Sequence, residues 1–255
     1  MSWGEALLLA VVEGLTEFLP VSSTGHLILV SSFLGRASEE GVQAYEIVIQ
    51  GGAILAVVFH SWRRLWQPRL YLLVGAAFLP TALIGFLAAD RVERLLDAPG
   101  VVAVNLILGG LVLMGMDRWF AHRQGRIESL SWVQAMLIGV VQAFSLFPGV
   151  SRAAAALFGA QLMGLSRREA AEFSFLLAVP TLGAASLYKL WKTPSLLAGP
   201  DASLLGLGVV VAFAVALVAM RFLVSLWSRY GMLPFGIYRI VLGTLVLVWL
   251  GRSWQ

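Results

Sequence analysis

Six charged side chains stand inside stretches that are otherwise apolar: Glu13, Glu17, Glu46, Arg152, Glu172 and Arg239. A charged group at the centre of a bilayer costs about 3 kcal/mol on insertion scales, so each of these is a functional suspect. Glu13 and Glu17 are four residues apart, which places both on one face of a helix. Two carboxylates that close share a proton or bind a cation. A pair of hard oxygens beside hydroxyls suits Mg²⁺ or Ca²⁺. The bland reading, a hydrogen bond or cap within a bundle, is the weaker one, because the second buried acid doubles the penalty. Next comes Ser22-Ser23-Thr24-Gly25-His26. Three hydroxyls before a glycine make a turn that can start a helix, with free N–H groups directed at an anion. His26 is close enough in sequence to act as general acid or base for one of those hydroxyls. Taken alone, such hydroxyls are more often caps than nucleophiles, and a lone His in an apolar run is usually a satisfied core residue. Their company with two glutamates raises both. Arg152 follows Pro148-Gly149-Val150-Ser151. A buried guanidinium needs an anion, and its planar fork suits phosphate. An ion pair with Glu13 or Glu17 is the competing reading, and a phosphate inserting between them reconciles the two. Acids on one turn and an arginine on another describe a metal-plus-phosphate site, since phosphoryl transfer rests on positioning and charge neutralisation. Glu46, Glu172 and Arg239 read as ion pairs within the bundle. Gln50-Gly51-Gly52 and Gly109-Gly110 read as close helix packing.

The elements that position these groups follow from composition and punctuation. The chain has 255 residues, 59% hydrophobic and 13% charged, with mean hydropathy +0.86. About a quarter of a soluble domain is charged, so this is an all-α polytopic membrane protein rather than a soluble enzyme. The apolar stretches are continuous, which excludes a barrel with its two-residue alternation. The absence of Cys removes disulfides, thiolate metal sites and Cys nucleophiles. The net charge of +4 is spread over loops, which speaks for topology and against nucleic acid as a partner. The first residues carry no basic run, so no cleavable signal is expected. Six segments suffice to span the bilayer: 41–60, 70–89, 100–116, 170–188, 203–220 and 234–250. Two more apolar stretches, 3–34 and 131–163, are broken in the middle, at Leu19–Gly25 and Pro148–Arg152. Each splits into two half-length helices, and the economical arrangement is a re-entrant hairpin with its tip near the midplane, buried in protein.

The chain also repeats. Residues 10–17 match 139–146 at an offset of 129, Val21-Ser22-Ser23 falls on Val150-Ser151-Arg152, and Leu34-Gly35 on Met163-Gly164. The expected organisation is a single membrane domain, 1–255, of two halves, 1–128 and 129–255. Each half is a hairpin plus three spans, the second inverted, with the polar site where the tips meet. Loops at 61–69, 117–130, 165–169 and 221–233 share one side and carry ten Lys or Arg. Loops at 35–40, 90–99, 189–202 and 251–255 share the other and carry six. The richer side is placed inside. Both termini and the first hairpin mouth then face outward. Trp62, Trp66, Trp119, Trp132, Trp191, Trp227 and Trp249 suit interfacial belts.

The string Val11-Val12-Glu13-Gly14-Leu15-Thr16-Glu17-Phe18-Leu19-Pro20-Val21-Ser22-Ser23-Thr24-Gly25-His26 resembles the signature of the bacterial undecaprenyl-diphosphate phosphatase family, also called the bacitracin-resistance family. So do Ile47–Gln50, Pro148–Arg152 and Glu172–Pro180, and the resemblance runs over essentially the whole chain. It implies a multi-pass enzyme of the bacterial inner (plasma) membrane, with six spans and two re-entrant hairpins. The enzyme would remove the terminal phosphate of a C55 isoprenyl diphosphate with a divalent cation, through a site opening to the periplasmic or extracellular side. The partners implied are that lipid diphosphate and the bilayer, and a homodimer is left open. The product monophosphate would return as carrier for cell-wall precursors. The resemblance puts the family's glutamates on Glu13 and Glu17, as catalytic and metal-binding groups. Its hydroxyls fall on Ser22, Ser23 and Thr24, its histidine on His26, and its second serine and arginine on Ser151 and Arg152. Ser22, Thr24, Ser151 and Arg152 would bind substrate. Ser23, His26 or a water is the nucleophile, with Ser23 favoured. One departure stands out: where the family continues Ser-Arg-Ser-Gly-x-Thr, this chain has Ser151-Arg152-Ala153-Ala154-Ala155-Ala156. A lipid flippase built on the same midplane site is the alternative function. It would need charge complementarity but no nucleophile.

Overall fold

The computed structural model describes residues 1–96, 99–197 and 199–253. They form α1 (Trp3–Thr16), α2 (Ser23–Phe33), α3 (Glu40–His60), α4 (Trp62–Leu65), α5 (Pro68–Leu96), α6 (Pro99–Trp119), α7 (Trp132–Gln142), α8 (Arg152–Leu162), α9 (Arg167–Lys192), α10 (Gly199–Tyr230) and α11 (Leu233–Ser253). Among the described residues there is no strand, only one isolated bridge between Gly125 and Leu165. The molecule is the expected all-α polytopic membrane protein. Among the described residues six helices are long and apolar enough to cross a bilayer: Glu40–His60, Pro68–Ala88, Pro99–Trp119, Arg167–Lys192, Ala202–Tyr230 and Leu233–Gly251.

These helices coincide with the expected spans but overrun their apolar centres. The clearest departure is at 221–233, read from sequence as a loop. There α10 continues to Tyr230, because Leu223 and Trp227, one turn apart, are both buried, while Arg221 and Arg229 ride the exposed face. Likewise α5 runs through part of the loop expected at 90–99. Parts of the loops expected at 90–99, 189–202 and 251–255 lie outside the described residues.

The two broken stretches form short helices. At 1.5 Å per residue, the 14 residues of α1 and the 11 each of α2, α7 and α8 fall short of a hydrocarbon core about 30 Å thick. Their local backbone recurs at the 129-residue offset. Ser2 with Glu5, and Ser131 with Gln134, form reciprocal capping boxes that start α1 and α7. Ser22 (φ 72°) and Ser151 (φ 78°) each enter the second helix through a left-handed conformation. Gly35 (φ 71°) and Gly164 (φ 99°) end it, as the C′ position of a helix favours.

Contacts sort the ends of the bundle. Arg64 pairs with Glu172 at 2.8 Å and reaches Glu128 and Glu169 at 3.7 Å. Arg167 pairs with Asp117 at 2.8 Å and donates to the Trp227 carbonyl. The loops at 61–69, 117–130 and 165–169 and the end of α10 therefore gather at one end. There Gln134 Nε2 donates to the Met163 carbonyl at 3.4 Å, joining the start of α7 to the end of α8. At the other end Arg36 pairs with Glu5 at 3.1 Å, joining the end of α2 to the start of α1, beside a cluster of Ala6, Val42, Leu196 and Leu204. Trp62, Trp66, Trp119 and Trp132 are exposed at the first end, and Trp3, Trp191 and Trp249 at the other. Trp227, near the end of α10 at the first end, is buried rather than exposed.

Candidate active site

Glu17 caps the C-terminus of α1, and Phe18 to Ser22 carry the chain to α2. Glu17 is 4% exposed, and both its carboxylate oxygens accept hydrogen bonds. Arg152 Nε and Nη2 donate to Oε1 at 3.0 and 2.9 Å, and Ser23 Oγ donates to Oε2. Arg152 Nη2 also reaches the Glu17 carbonyl at 3.3 Å, and Nη1 donates to the Ser174 carbonyl of α9 at 3.0 Å. The guanidinium lies 5.7 Å from the centre of the Phe18 ring, within cation–π reach. Two turns that are 135 residues apart in sequence thus meet on one carboxylate. Ser23 and Arg152 are each the first residue of their helix, so the N-termini of α2 and α8 both abut Glu17, where a helix dipole favours an anion.

Glu13 is wholly buried, and no donor among the described residues reaches either of its oxygens. Its charged neighbours are Glu17, then Glu46 and Arg152. A carboxylate facing carboxylates without a donor holds a proton or a cation. Glu46, expected in an ion pair, has none among the described residues, and its Oε1 is buried without a hydrogen bond. Glu172 does pair, with Arg64.

The hydroxyls divide their work. Ser22 Oγ accepts from the Gly25 N–H at 3.3 Å and Ser151 Oγ from the Ala154 N–H at 3.2 Å. Both are N-caps, held in a backbone region where an L-residue is strained by about 1–3 kcal/mol. Ser23 alone touches a carboxylate, and Thr24 is exposed. His26 makes its ring hydrogen bonds to other groups than the three hydroxyls. Its Nδ1 is 2.8 Å from the Ser22 carbonyl and its Nε2 2.6 Å from the Tyr238 hydroxyl. A carbonyl only accepts, so Nδ1 carries the proton and Nε2 accepts from Tyr238. Ala153 and Ala154 are buried at the start of α8 and present only methyl groups there.

Arg239 corrects its sequence reading as an ion-pair member. It is fully buried and binds no carboxylate among the described residues. Its five donors take five backbone carbonyls: Leu106 and Asn105 of α6, Pro20 of the first turn, and Gly149 and Val150 of the second, at 2.8–3.2 Å. One side chain ties both turns to α6 and saturates its donors. Asn105 adds a bond from Nδ2 to the Pro148 carbonyl at 2.8 Å. Tyr238 and Arg239, adjacent on α11, are the residues sequence reasoning left out of the site. The buried charge of Arg239 was the available signal, whereas nothing marked Tyr238.

Gly109 makes room for that clamp, as a Cβ there would strike the Arg239 guanidinium. A side-chain end normally yields, but this one is fixed by five carbonyls. Gly109→Ala is therefore expected to cost about 1–3 kcal/mol, the range of overpacking. A thermal unfolding series in detergent checks this, and a midpoint equal to wild type would mean that Arg239 is free to move. Gly110 and Gly236 pack at the same α6–α11 contact and Gly52 packs on α10, whereas Gly51 faces open space. The packing role expected for the glycine pairs therefore fits Gly109, Gly110 and Gly52.

Residues 6–245 match the family model described as Bacitracin resistance protein BacA. The chain is 45% identical over 254 residues to a protein of Bdellovibrio bacteriovorus named undecaprenyl-diphosphatase, with 97% of this chain and 96% of that one covered. Proteins of the same name from Sphingopyxis alaskensis and Sorangium cellulosum are 44% and 46% identical, with 98% of this chain and 97% and 87% of theirs covered.

Proposed function

The chain belongs to the Bacitracin resistance protein BacA family, and from that membership we propose that it is a membrane phosphatase that hydrolyses undecaprenyl diphosphate to undecaprenyl phosphate and inorganic phosphate, recycling the lipid carrier of peptidoglycan synthesis. The observation that carries the chemistry is the Glu17 carboxylate held between Ser23 and Arg152. A carboxylate that already accepts the Ser23 proton is placed as its general base. In this reading the terminal phosphate enters between Arg152 and the N-termini of α2 and α8. Ser23 Oγ bonds to phosphorus, its proton passes to Glu17, and the anhydride bond breaks to release the prenyl monophosphate. Water then cleaves the phosphoserine. Direct attack by a water activated on Glu17 uses the same groups, and His26 would serve as proton donor to the leaving oxygen only after taking up a proton on Nε2 in place of its bond from Tyr238. The named relatives are diphosphatases, so the flippase alternative draws no support from them.

Glu13 and Glu17 would hold a divalent cation. The fit rests on the two Glu13 oxygens, buried and without a donor beside a second carboxylate. Mg²⁺ is typically held by one or two carboxylates together with substrate phosphates. When bound, it would neutralise charge on the diphosphate. The two short-helix pairs are proposed as re-entrant hairpins entering from opposite faces, the second half inverted on the first. The site is proposed to open to the outer side of the bacterial plasma membrane, following the excess of Lys and Arg on the other end.

The test is phosphate release from farnesyl or undecaprenyl diphosphate by purified protein in detergent. Release is expected with Mg²⁺ or Ca²⁺ and is expected to vanish in a chelator. Full activity in chelator would remove the metal, and no release with metal present would remove the phosphatase.

A further inference from the structure

A second polar cavity lies at the basic end of the bundle, apart from Glu17. It has a volume of about 780 Å³ and is lined by His60, Arg63, Arg64, Arg168, Glu172 and Arg221, among others. Four arginines and one carboxylate thus line it; that carboxylate is paired with Arg64 at 2.8 Å, and Arg64 also reaches Glu128 and Glu169 at 3.7 Å outside the lining, so the cationic surplus lies on the other three. Arg63, Arg168 and Arg221 are exposed and make no ion pair among the described residues. Phe175 is among its lining residues, and its ring meets Phe18 edge-on at 5.3 Å. Neither Glu17 nor Arg152 lines the cavity, so an anion seated there is apart from the Glu17 carboxylate.

An apolar groove adjoins the cavity. With a volume of about 420 Å³, it runs along α3 and α10, lined by Leu55, Val58, Val209, Val210 and Phe213. Phe59 and Trp62 form a wall of both. The exposed Trp62 and Trp66 lie at this mouth, where aromatic belts mark headgroup depth. Cationic surplus at headgroup depth, joined to an apolar groove facing hydrocarbon, is complementary to an amphiphile with an anionic head.

We propose that one acidic glycerophospholipid of the adjoining leaflet binds here, its phosphodiester among Arg63, Arg168 and Arg221 and an acyl chain in the α3–α10 groove. The volume exceeds the need of a bare phosphate, and the groove supplies the chain. The site stands independently of the phosphatase reading, since it rests on membrane embedding alone.

Native mass spectrometry of the full chain, released from micelles containing phosphatidylglycerol or phosphatidylcholine, tests this. One phosphatidylglycerol should remain bound, and phosphatidylcholine should not. R63Q/R221Q should weaken retention by about tenfold or more, as each basic residue near a lipid surface contributes about 1 kcal/mol, roughly fivefold. R118Q/R123Q, which removes two arginines of the same end outside the cavity, should retain the lipid. An unfolding midpoint equal to wild type in both variants shows that they are folded, and prenyl diphosphate hydrolysis in lipid-free detergent should be unchanged in both. Equal retention of phosphatidylcholine, or equal loss in both variants, would overturn the proposal by reducing it to general attraction. Displacement by millimolar inorganic phosphate, or by a prenyl phosphate at substoichiometric amounts, would overturn the choice of occupant.

Discussion

Glu17→Gln is expected to lower phosphate release at least about a hundredfold, the effect of losing one strong electrostatic contact in a catalytic site. The substitution keeps the shape of the side chain and removes two capacities at once. Both groups on the carboxylate are donors, Arg152 on Oε1 and Ser23 on Oε2. An amide has one acceptor oxygen, so it can serve Arg152 or Ser23 but not both, and in neither orientation can it take the Ser23 proton. It also leaves the Arg152 guanidinium, whose side chain is 10% exposed, without its counter-charge. Truncating a buried pair destabilises by about 3–5 kcal/mol, so turnover must be read against an unfolding curve of the same preparation. Loss of turnover in folded protein is the expected result. Wild-type turnover in the Gln variant would sink both the base role and the metal role of Glu17. Glu13→Gln separates these roles, because Glu13 has no donor to lose. It should abolish the response to divalent cation while leaving the Glu17–Arg152 pair intact.

The legibility of this site in the sequence followed the cost of burying charge. Glu13, Glu17 and Arg152 announced themselves because an ionised group in an apolar stretch is expensive, and the structure brings Glu17 and Arg152 together. The breaks at Pro20 and Pro148 were legible as punctuation, and the helices do break there. Interactions with backbone were not legible. Arg239 stands in an apolar stretch as plainly as Arg152, yet its partners are carbonyls of Pro20, Asn105, Leu106, Gly149 and Val150. Every residue carries a carbonyl, so no pattern of residue types points to them. The caps of Ser22 and Ser151 are also bonds to backbone, and only the general preference of such hydroxyls for caps pointed to them. The end of α10 was missed differently. Arg221 and Arg229 outweighed Leu223 and Trp227 in a reading by charge, although those two buried residues have helical spacing. The basic cavity was beyond reach because it is assembled from the ends of α3, α9 and α10 and from α4.

Arg152→Lys is expected to be nearly as damaging as loss of Glu17, with kcat/KM about a hundredfold down and both kcat and KM affected. The charge survives, so any large effect must come from geometry. Arg152 holds three elements simultaneously: Nε and Nη2 fork onto Glu17, Nη1 reaches the Ser174 carbonyl of α9, and the guanidinium plane faces Phe18. An ammonium is a point charge on a flexible stem. It can approach Glu17 or Ser174, but it cannot reproduce the planar fork or span both. A phosphate entering between Arg152 and Glu17 would meet one donor direction where the arginine offers two parallel ones. This chain is sensitive at that point, because four alanines, Ala153 to Ala156, follow Arg152 and the Ser151 hydroxyl is engaged as a cap, so the second turn has little else with which to grip an anion. A hundredfold loss corresponds to about 2.7 kcal/mol, within the range for truncating a buried hydrogen-bonded charge pair. Arg152→Ala supplies the discriminating control. If the fork is what matters, added guanidinium ion should restore part of the activity of the Ala variant, and ammonium at the same concentration should not. Wild-type kinetics in the Lys variant would mean that Arg152 only balances the charge of Glu17. Phosphate would then be held by the helix N-termini at Ser23 and Arg152 and by the cation.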